Sequence, residues 1–313
     1  METRFVYLFN RLVTLIKRLG FKTGIKIIYR YLLTQYFYKI LSLYFRVRGI
    51  KSVSRKIHGY IMLLDPADTG LSRDLILFGT RERLQTALVK KWLKPSMTIV
   101  EVGANIGYYA LMEASFIGEN GKIYAIEPVE ENYDFLKKNV FANHYENRIE
   151  LYLLAISDAD GIAQIAKTEE SNLCTMLINN EELSEYGRKS MEKRLKEMAV
   201  VNTMTLDNFL EGKLAPDFIR MDVEGYETKI IKGMVKTLED SKPGTKMFME
   251  IHPALFKDSV RTVSEILAVL TKYGFKVEYI VDRTGNVFLD FTPENLIETI
   301  SGDPAPGLFL VKS

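Results

Sequence analysis

The chain has 313 residues, 47% hydrophobic and 26% charged, the make-up of an ordinary globular protein with a substantial core, in one large domain with appendages or two small ones. A single cysteine, Cys174, excludes an intrachain disulfide and a cysteine-rich zinc centre, and fits a reducing compartment. The formal net charge of +2 hides an asymmetry: residues 1–57 hold thirteen Lys or Arg and one acid, a net +12, which leaves −10 on the rest. Residues 3–20 read as an amphipathic helix, with Phe5, Leu8, Leu12, Leu15, Ile16 and Leu19 on one face and Arg4, Arg11 and Arg18 along its edge. Residues 23–48 read as a second helix whose basic residues alternate with aromatics. Such an arm suits either an anionic membrane interface, where Arg and Lys snorkel, or packing on the acidic body. No cleavable signal peptide is read, and charges interrupt every apolar run before the roughly 18 residues that a membrane span needs.

Residues 58–80 read as two short strands around a Pro/Asp/Gly turn, and "RERLQTALVKKWL" as a helix that "KPS" breaks. From residue 97 strands alternate with helices: "TIVEVG", "GKIYAIEP", "IELYLLAIS", "FIRMDV" and "MFMEIH". Near-continuous apolar strands between helices predict a parallel sheet covered on both faces. "FKVEYIVD" and "PGLFLVKS" would close it as an antiparallel pair. Residues 178–199 form a charged helical insert, a substrate wall or a solvated surface helix. The expected division is a basic arm at 1–57, a strand pair and helix at 58–95, and a cofactor-binding domain at 96–313.

"VEVGANIGYYAL" has the form strand, acid-x-Gly-x-x-x-Gly, helix. In open α/β sheets a ligand sits beyond the carboxyl ends of the strands. A dinucleotide fingerprint would cluster three glycines on a pyrophosphate, but Asn105 stands where the middle one belongs, and Glu101 repels phosphate. Gly103 would let a ligand touch the backbone, and Gly107 would let the helix pack closely. A cationic cofactor, S-adenosylmethionine, removes both objections. Glu127 ends the second strand, before Pro128, where an acid accepts from a ribose diol. "AISDADG" at the third strand end could frame an adenine, or be a plain turn. Asp222, Glu224 and Glu227 follow the fourth strand; Glu250 and His252 share a face at the end of the fifth.

Five motifs in this order, "VEVGANIGYYAL", "YAIEPVEENYDFLKKNV", "LAISDADG", "DVEGYE" and "EIHP", resemble the FkbM family of S-adenosylmethionine-dependent methyltransferases from about residue 58 to about 260. The resemblance implies a class I methyltransferase fold, Rossmann-like, with a seven-stranded sheet whose last strand is antiparallel. It implies that Glu101, Gly103, Asn105, Gly107, Glu127, Ser157 and Asp222 surround the cofactor, with Glu82 of "FGTRE" beside them. Glu101 stands where the family more often has Asp.

Methyl transfer to a hydroxyl needs a base, and Asp222, Glu224 and His252 are the candidates, with His252 or Glu224 favoured and Asp222 positioning cofactor or acceptor. A carboxylate acceptor would need none. Asp222, Glu250 and His252 offer donors that suit a divalent metal, although no metal is predicted. Nucleic-acid methylation is disfavoured: "DVEG" lacks the Asn/Asp-Pro-Pro-aromatic run of amine methylation, Cys174 lies outside the strand-end motifs, and the body is acidic. The expected activity is O-methylation of a glycan, a lipid-linked saccharide or a related metabolite, in the cytoplasm or at the inner membrane face. Two alternatives remain: an NAD-dependent oxidoreductase, which the missing glycine cluster disfavours, and a non-catalytic cofactor-binding module, which the polar fourth and fifth strand ends disfavour.

Overall fold

The computed structural model describes residues 29, 33–168, 170–176 and 183–313. The helix expected at 3–20 and most of the first half of that expected at 23–48 lie outside the described residues. A π-helical turn, Leu33–Phe37, runs into α1 (Tyr38–Val47). Tyr38 anchors α1: its hydroxyl sits 3.1 Å from both the Pro66 and Asp68 carbonyls. Ile40, Leu43, Tyr44 and Val47 are exposed. Among the described residues no helix is long and apolar enough to cross a membrane.

β1 (Val53–Ile57) and β2 (Tyr60–Leu64) form an antiparallel hairpin. The pair therefore starts inside the segment read as the arm, and "LSRDLILF", read as a strand, is helix α2 (Leu71–Phe78). The local reason lies at its N-terminus, where the Asp68 carboxylate accepts from the amides of Gly70 and Ser72 and starts the turn. Leu71 and Leu75, four apart, then point into the core. α3 (Arg83–Trp92) follows, as expected.

The body alternates as the sequence predicts: β3 (Thr98–Val102), α4 (Tyr108–Ile117), β4 (Lys122–Ile126), α5 (Glu130–Ala142) and β5 (Ile149–Tyr152). The strand expected over "IELYLLAIS" then splits, and β6 (Ala155–Ser157) leaves for a second sheet. There it pairs with β8 (Leu195–Thr205), which also makes a long antiparallel ladder with β7 (Gly161–Thr168). Within the insert, the described residues thus form helix α6 (Glu185–Arg194) and, from Leu195 on, the start of β8. β-Branched residues in "AVVNTMT" and the ladder to β7 stop the helix at Arg194. Leu183 and Met191 pack on Leu255 and Tyr226, so the insert docks at the carboxyl end of the main sheet.

β9 (Phe218–Met221), α7 (Glu227–Lys232), β10 (Lys246–Glu250), α8 (Ser259–Lys272), β11 (Phe275–Val281) and β12 (Gly307–Lys312) complete the body. The seven strands lie in the order β11-β12-β10-β9-β3-β4-β5, with β12 antiparallel to both neighbours. This is the class I methyltransferase sheet that the resemblance implies. One apolar layer, with Met62, Leu111 and Leu136, fills one face, and another, with Ile231, Leu267 and Leu270, fills the other. β3 and β9 are buried throughout, so a charge there needs a partner. The register supplies it, setting Glu101 opposite Arg220.

Candidate active site

The order of strands reverses between β3 and β9, and a cleft opens beyond their carboxyl ends. It encloses about 930 Å³ of empty space, part of it open to solvent.

The wall on the β3–β4 side is built from backbone. Gly103 has φ +85°, and a Cβ there would lie 2.1 Å from the Asp222 carbonyl oxygen. The bare position is thus set by the close approach of β9's end, in addition to any ligand. Gly107 has φ +92°, and a Cβ would meet Leu136 Cδ1 of α5 at 2.8 Å, so its bareness serves helix–helix rather than helix–strand contact. Asn105 is left-handed (φ 50°), which Asn tolerates. Its amide donates to Glu127 Oε2 at 2.8 Å and its side chain donates to the Ser171 carbonyl. Glu127 Oε1 accepts from the Val129 amide (3.0 Å) and Asn132 Nδ2 (3.3 Å). Burial pushes the Glu127 carboxyl up to about 7, against these three N–H donors, which pull it down. Asn132 also donates to the Ser171 carbonyl, and Ser171 is tied to Asp68, so segment 170–176 is strapped over the wall.

The β9–β10 side is built from charges. Arg220 Nη1 donates to Glu101 Oε2 at 3.1 Å, and Nη2 reaches Asp222 Oδ2 at 3.4 Å. The guanidinium stacks 3.7 Å from the centre of the Tyr109 ring. Behind Glu101, burial and the Glu101 charge hold the Glu113 carboxyl well above its usual range. Arg81 pairs with Glu82 at 2.6 Å, and Glu82 accepts from the Tyr109 hydroxyl at 2.9 Å. Glu224, left-handed at φ 50°, reaches His252 Nε2 at 3.2 Å, while His252 Nδ1 donates to Glu227 Oε1 at 2.7 Å. Burial lowers the basicity of His252, but Glu224, Glu227 and Glu250 together raise it well above its usual value. Burial raises the Glu224 carboxyl.

Glu82, Gly103, Asn105, Glu127, Pro128, Asp222 and Glu224 line the cleft. Glu101, Gly107, Ser157 and His252 stand behind its wall. Glu101 is consumed by Arg220, and the Ser157 hydroxyl bonds Tyr226 at 3.0 Å. Cys174, set outside the motifs in the sequence reading, does reach the cleft, but burial pushes its thiol up to about 12, so it carries no thiolate at neutral pH. Arg81, Tyr109, Asn132 and Arg220 line the cleft as well, beyond the site residues that the sequence motifs offer. Only Arg220 carried a signal, two residues before Asp222 and therefore on the same strand face.

These residues fit S-adenosylmethionine. Four carboxyl groups line the cleft, Glu82, Glu127, Asp222 and Glu224, against two guanidinium groups already paired to acids. That balance suits a cation and repels a pyrophosphate. Glu127 stands where a ribose diol would meet it.

The chain matches the Methyltransferase FkbM domain over residues 101–277, more than half its length. A protein-L-isoaspartate O-methyltransferase of Methanococcoides burtonii is 41% identical over 51 residues, 16% of this chain. The chain spans about a quarter of the length of the curated relatives it matches. Among solved structures, methyltransferase FkbM from Methylobacillus flagellatus is similar at 14% identity and a TM-score of 0.39, over 76% of this chain and 53% of that one. A putative transferase from Pyrococcus horikoshii is similar at 17% identity and a TM-score of 0.43, over 90% and 86%. With its sheet, its five ordered motifs and the domain match in agreement, this chain belongs to the FkbM methyltransferase family, whose cofactor is S-adenosylmethionine.

Proposed function

We propose that this chain is an O-methyltransferase whose acceptor is a hydroxyl of a glycan, a lipid-linked saccharide or a related metabolite. The observation that carries the reading is Glu224, a carboxylate on the cleft wall beside Asp222, steadied by His252 and Glu227. Bound in the cleft, S-adenosylmethionine supplies an electrophilic methyl group on a sulfonium. Glu127, Asn105 and the strap 170–176 hold the cofactor's place. Glu224 would take the proton from the acceptor hydroxyl as that oxygen attacks the methyl group. His252 lies behind the wall and orients Glu224, so Glu224, rather than His252, is the base. Asp222 positions the reactants. The docked insert, with Ser184 bonded to the carbonyl of Ala254 and its amide bonded to that of Leu255, gives the acceptor side a wall of its own.

An acceptor screen tests this: full chain, S-adenosylmethionine and a panel of mono- and oligosaccharides, reading S-adenosylhomocysteine. Turnover that Glu224→Gln removes is expected. For a carboxylate acceptor no base is needed, and Glu224→Gln would leave turnover in place.

The exposed residues Ile40, Leu43, Tyr44 and Val47 of α1, with Arg46 and Arg48, fit a peripheral place at an anionic inner membrane face. Flotation with anionic vesicles tests it. The full chain should float and a chain lacking residues 1–57 should not; failure of both would end the membrane reading.

A further inference from the structure

Four carboxyl groups, Asp222, Glu224, Glu227 and Glu250, surround one imidazole, that of His252. The nearby guanidinium groups do not balance them. Arg220 is spent on Glu101 and reaches Asp222 only at 3.4 Å, and Arg81 is spent on Glu82. One donor atom from each of Asp222, Glu250 and His252 can be chosen so that all lie within 4.8 Å of one another. The strands explain the convergence: Met249 pairs with Met221, and Glu250 and Asp222 lie one step beyond.

The far side of the ring is arranged to match. Nδ1 donates to Glu227 Oε1, which also accepts from the Gly225 amide at 3.0 Å. A carboxylate on Nδ1 holds the ring so that Nε2 faces the other carboxylates, the support that metal-bound histidines have, and a cation bound there takes the place of the Nε2 proton. A second observation is independent of this bond. Glu227 is fully buried, yet its Oε2 has no partner among the described residues, so this carboxyl group is only half satisfied by the ring and the Gly225 amide. The Glu250 carboxylate accepts no hydrogen bond among the described residues; its nearest cation is Nε2, at 3.8 Å.

We propose that Asp222, Glu250 and His252 Nε2 hold a divalent cation of the Mg²⁺ or Mn²⁺ kind on the acceptor side of the cleft. Two carboxylates and one imidazole suit Mn²⁺. Donors on an ion of this size are about 3 Å apart when adjacent and at most about 4.2 Å when opposite, so the set closes by roughly 1–2 Å through side-chain rotation. Glu224 stays outside the ligand set, and Nε2, on taking the cation, gives up its 3.2 Å contact with Glu224. Three protein ligands leave positions for water or for neighbouring hydroxyls of a saccharide. That role, unlike the site itself, rests on the methyl-transfer reading.

The test is direct. The full chain, stripped with EDTA, is titrated with MnCl₂ by calorimetry and by electron paramagnetic resonance, then separately with S-adenosylhomocysteine. One Mn²⁺ per chain is expected, with nitrogen modulation from the imidazole. His252→Gln should abolish that modulation. Glu250→Gln and Glu227→Gln should each weaken uptake about tenfold to a hundredfold. A variant that still binds S-adenosylhomocysteine is folded; if Glu250→Gln is not, Asp222→Asn replaces it. No Mn²⁺ uptake at millimolar concentration, or equal uptake by the folded variants, overturns the metal site. Loss of S-adenosylhomocysteine binding in the wild-type chain with Mn²⁺ uptake intact would overturn the methyl-transfer reading and leave the metal site standing.

Discussion

The two halves of the cleft are held by different forces. On the β3–β4 side, one carboxylate, Glu127, accepts from three N–H groups, two of them backbone. Its place is set by chain geometry, with Gly103, Asn105 and Gly107 all at positive φ. On the β9–β10 side the polar groups hold one another through side chains, and several buried atoms stay unmatched: Glu101 Oε1, Arg220 Nε and Glu227 Oε2. A backbone cradle is satisfied before the ligand arrives, whereas a crowd of buried charges is costly until something completes it. The first half suits a fixed cofactor, and the second suits proton transfer and an acceptor that varies.

The largest effect expected from this difference is on turnover. Glu224→Gln should lower kcat by about 10²–10⁴-fold, the usual worth of a general base, and leave S-adenosylhomocysteine affinity unchanged. Equal losses in both would mean that the halves are one unit. The next largest is structural. Gly103→Ala forces a Cβ into the Asp222 carbonyl at a φ of +85°, so stability should fall by at least about 2 kcal/mol in thermal unfolding. Because the clash falls on the end of β9, both halves should suffer.

The sequence carried the two halves unequally, and the reason is physical. Glycine spacing, strand ends and the acid at Glu127 are local features, and a short motif records them. The strand–helix alternation predicted the parallel sheet, and the family resemblance supplied its seven strands with the last antiparallel. The Glu101–Arg220 pair was hidden because its members are 119 residues apart, joined only by strand register. Reading Glu101 as a cofactor carboxylate assigned to the ligand a charge that the neighbouring strand consumes. The hairpin that starts at Val53 and the strand inside the insert were missed because short β segments take their identity from partners distant in sequence. Asp68 showed no motif at all, yet it starts α2 and ties down Ser171.

A pH series gives a smaller effect and separates the halves again. The Glu127 carboxyl is raised to about 7, so it is mostly protonated below that pH and ionised above it. An ionised carboxylate accepts both hydrogen bonds of a ribose diol. Affinity for S-adenosylhomocysteine should therefore fall as pH drops through about 7, by up to about tenfold per unit. Glu127→Gln should bind weakly with a flat profile over that window. A slope that survives the substitution would move the titrating group elsewhere.

The smallest effect concerns a polar bridge between the halves. Ser157, at the end of β6, bonds through its hydroxyl to Tyr226, which follows the acidic turn after β9. The bond is partly buried, so Ser157→Ala should lower stability by about 0.5–1.5 kcal/mol. Family resemblance puts this serine around the cofactor, but the side chain stands behind the wall, bonded to a tyrosine that itself lines the cleft. Affinity for S-adenosylhomocysteine should then change by about twofold or less, the remainder of the effect passing through Tyr226. Tyr226→Phe, which keeps the ring and removes the same bond, should reproduce both numbers. A tenfold loss of affinity in Ser157→Ala that Tyr226→Phe does not share would place the hydroxyl on the cofactor itself, and the backbone-built half of the cleft would extend to β6.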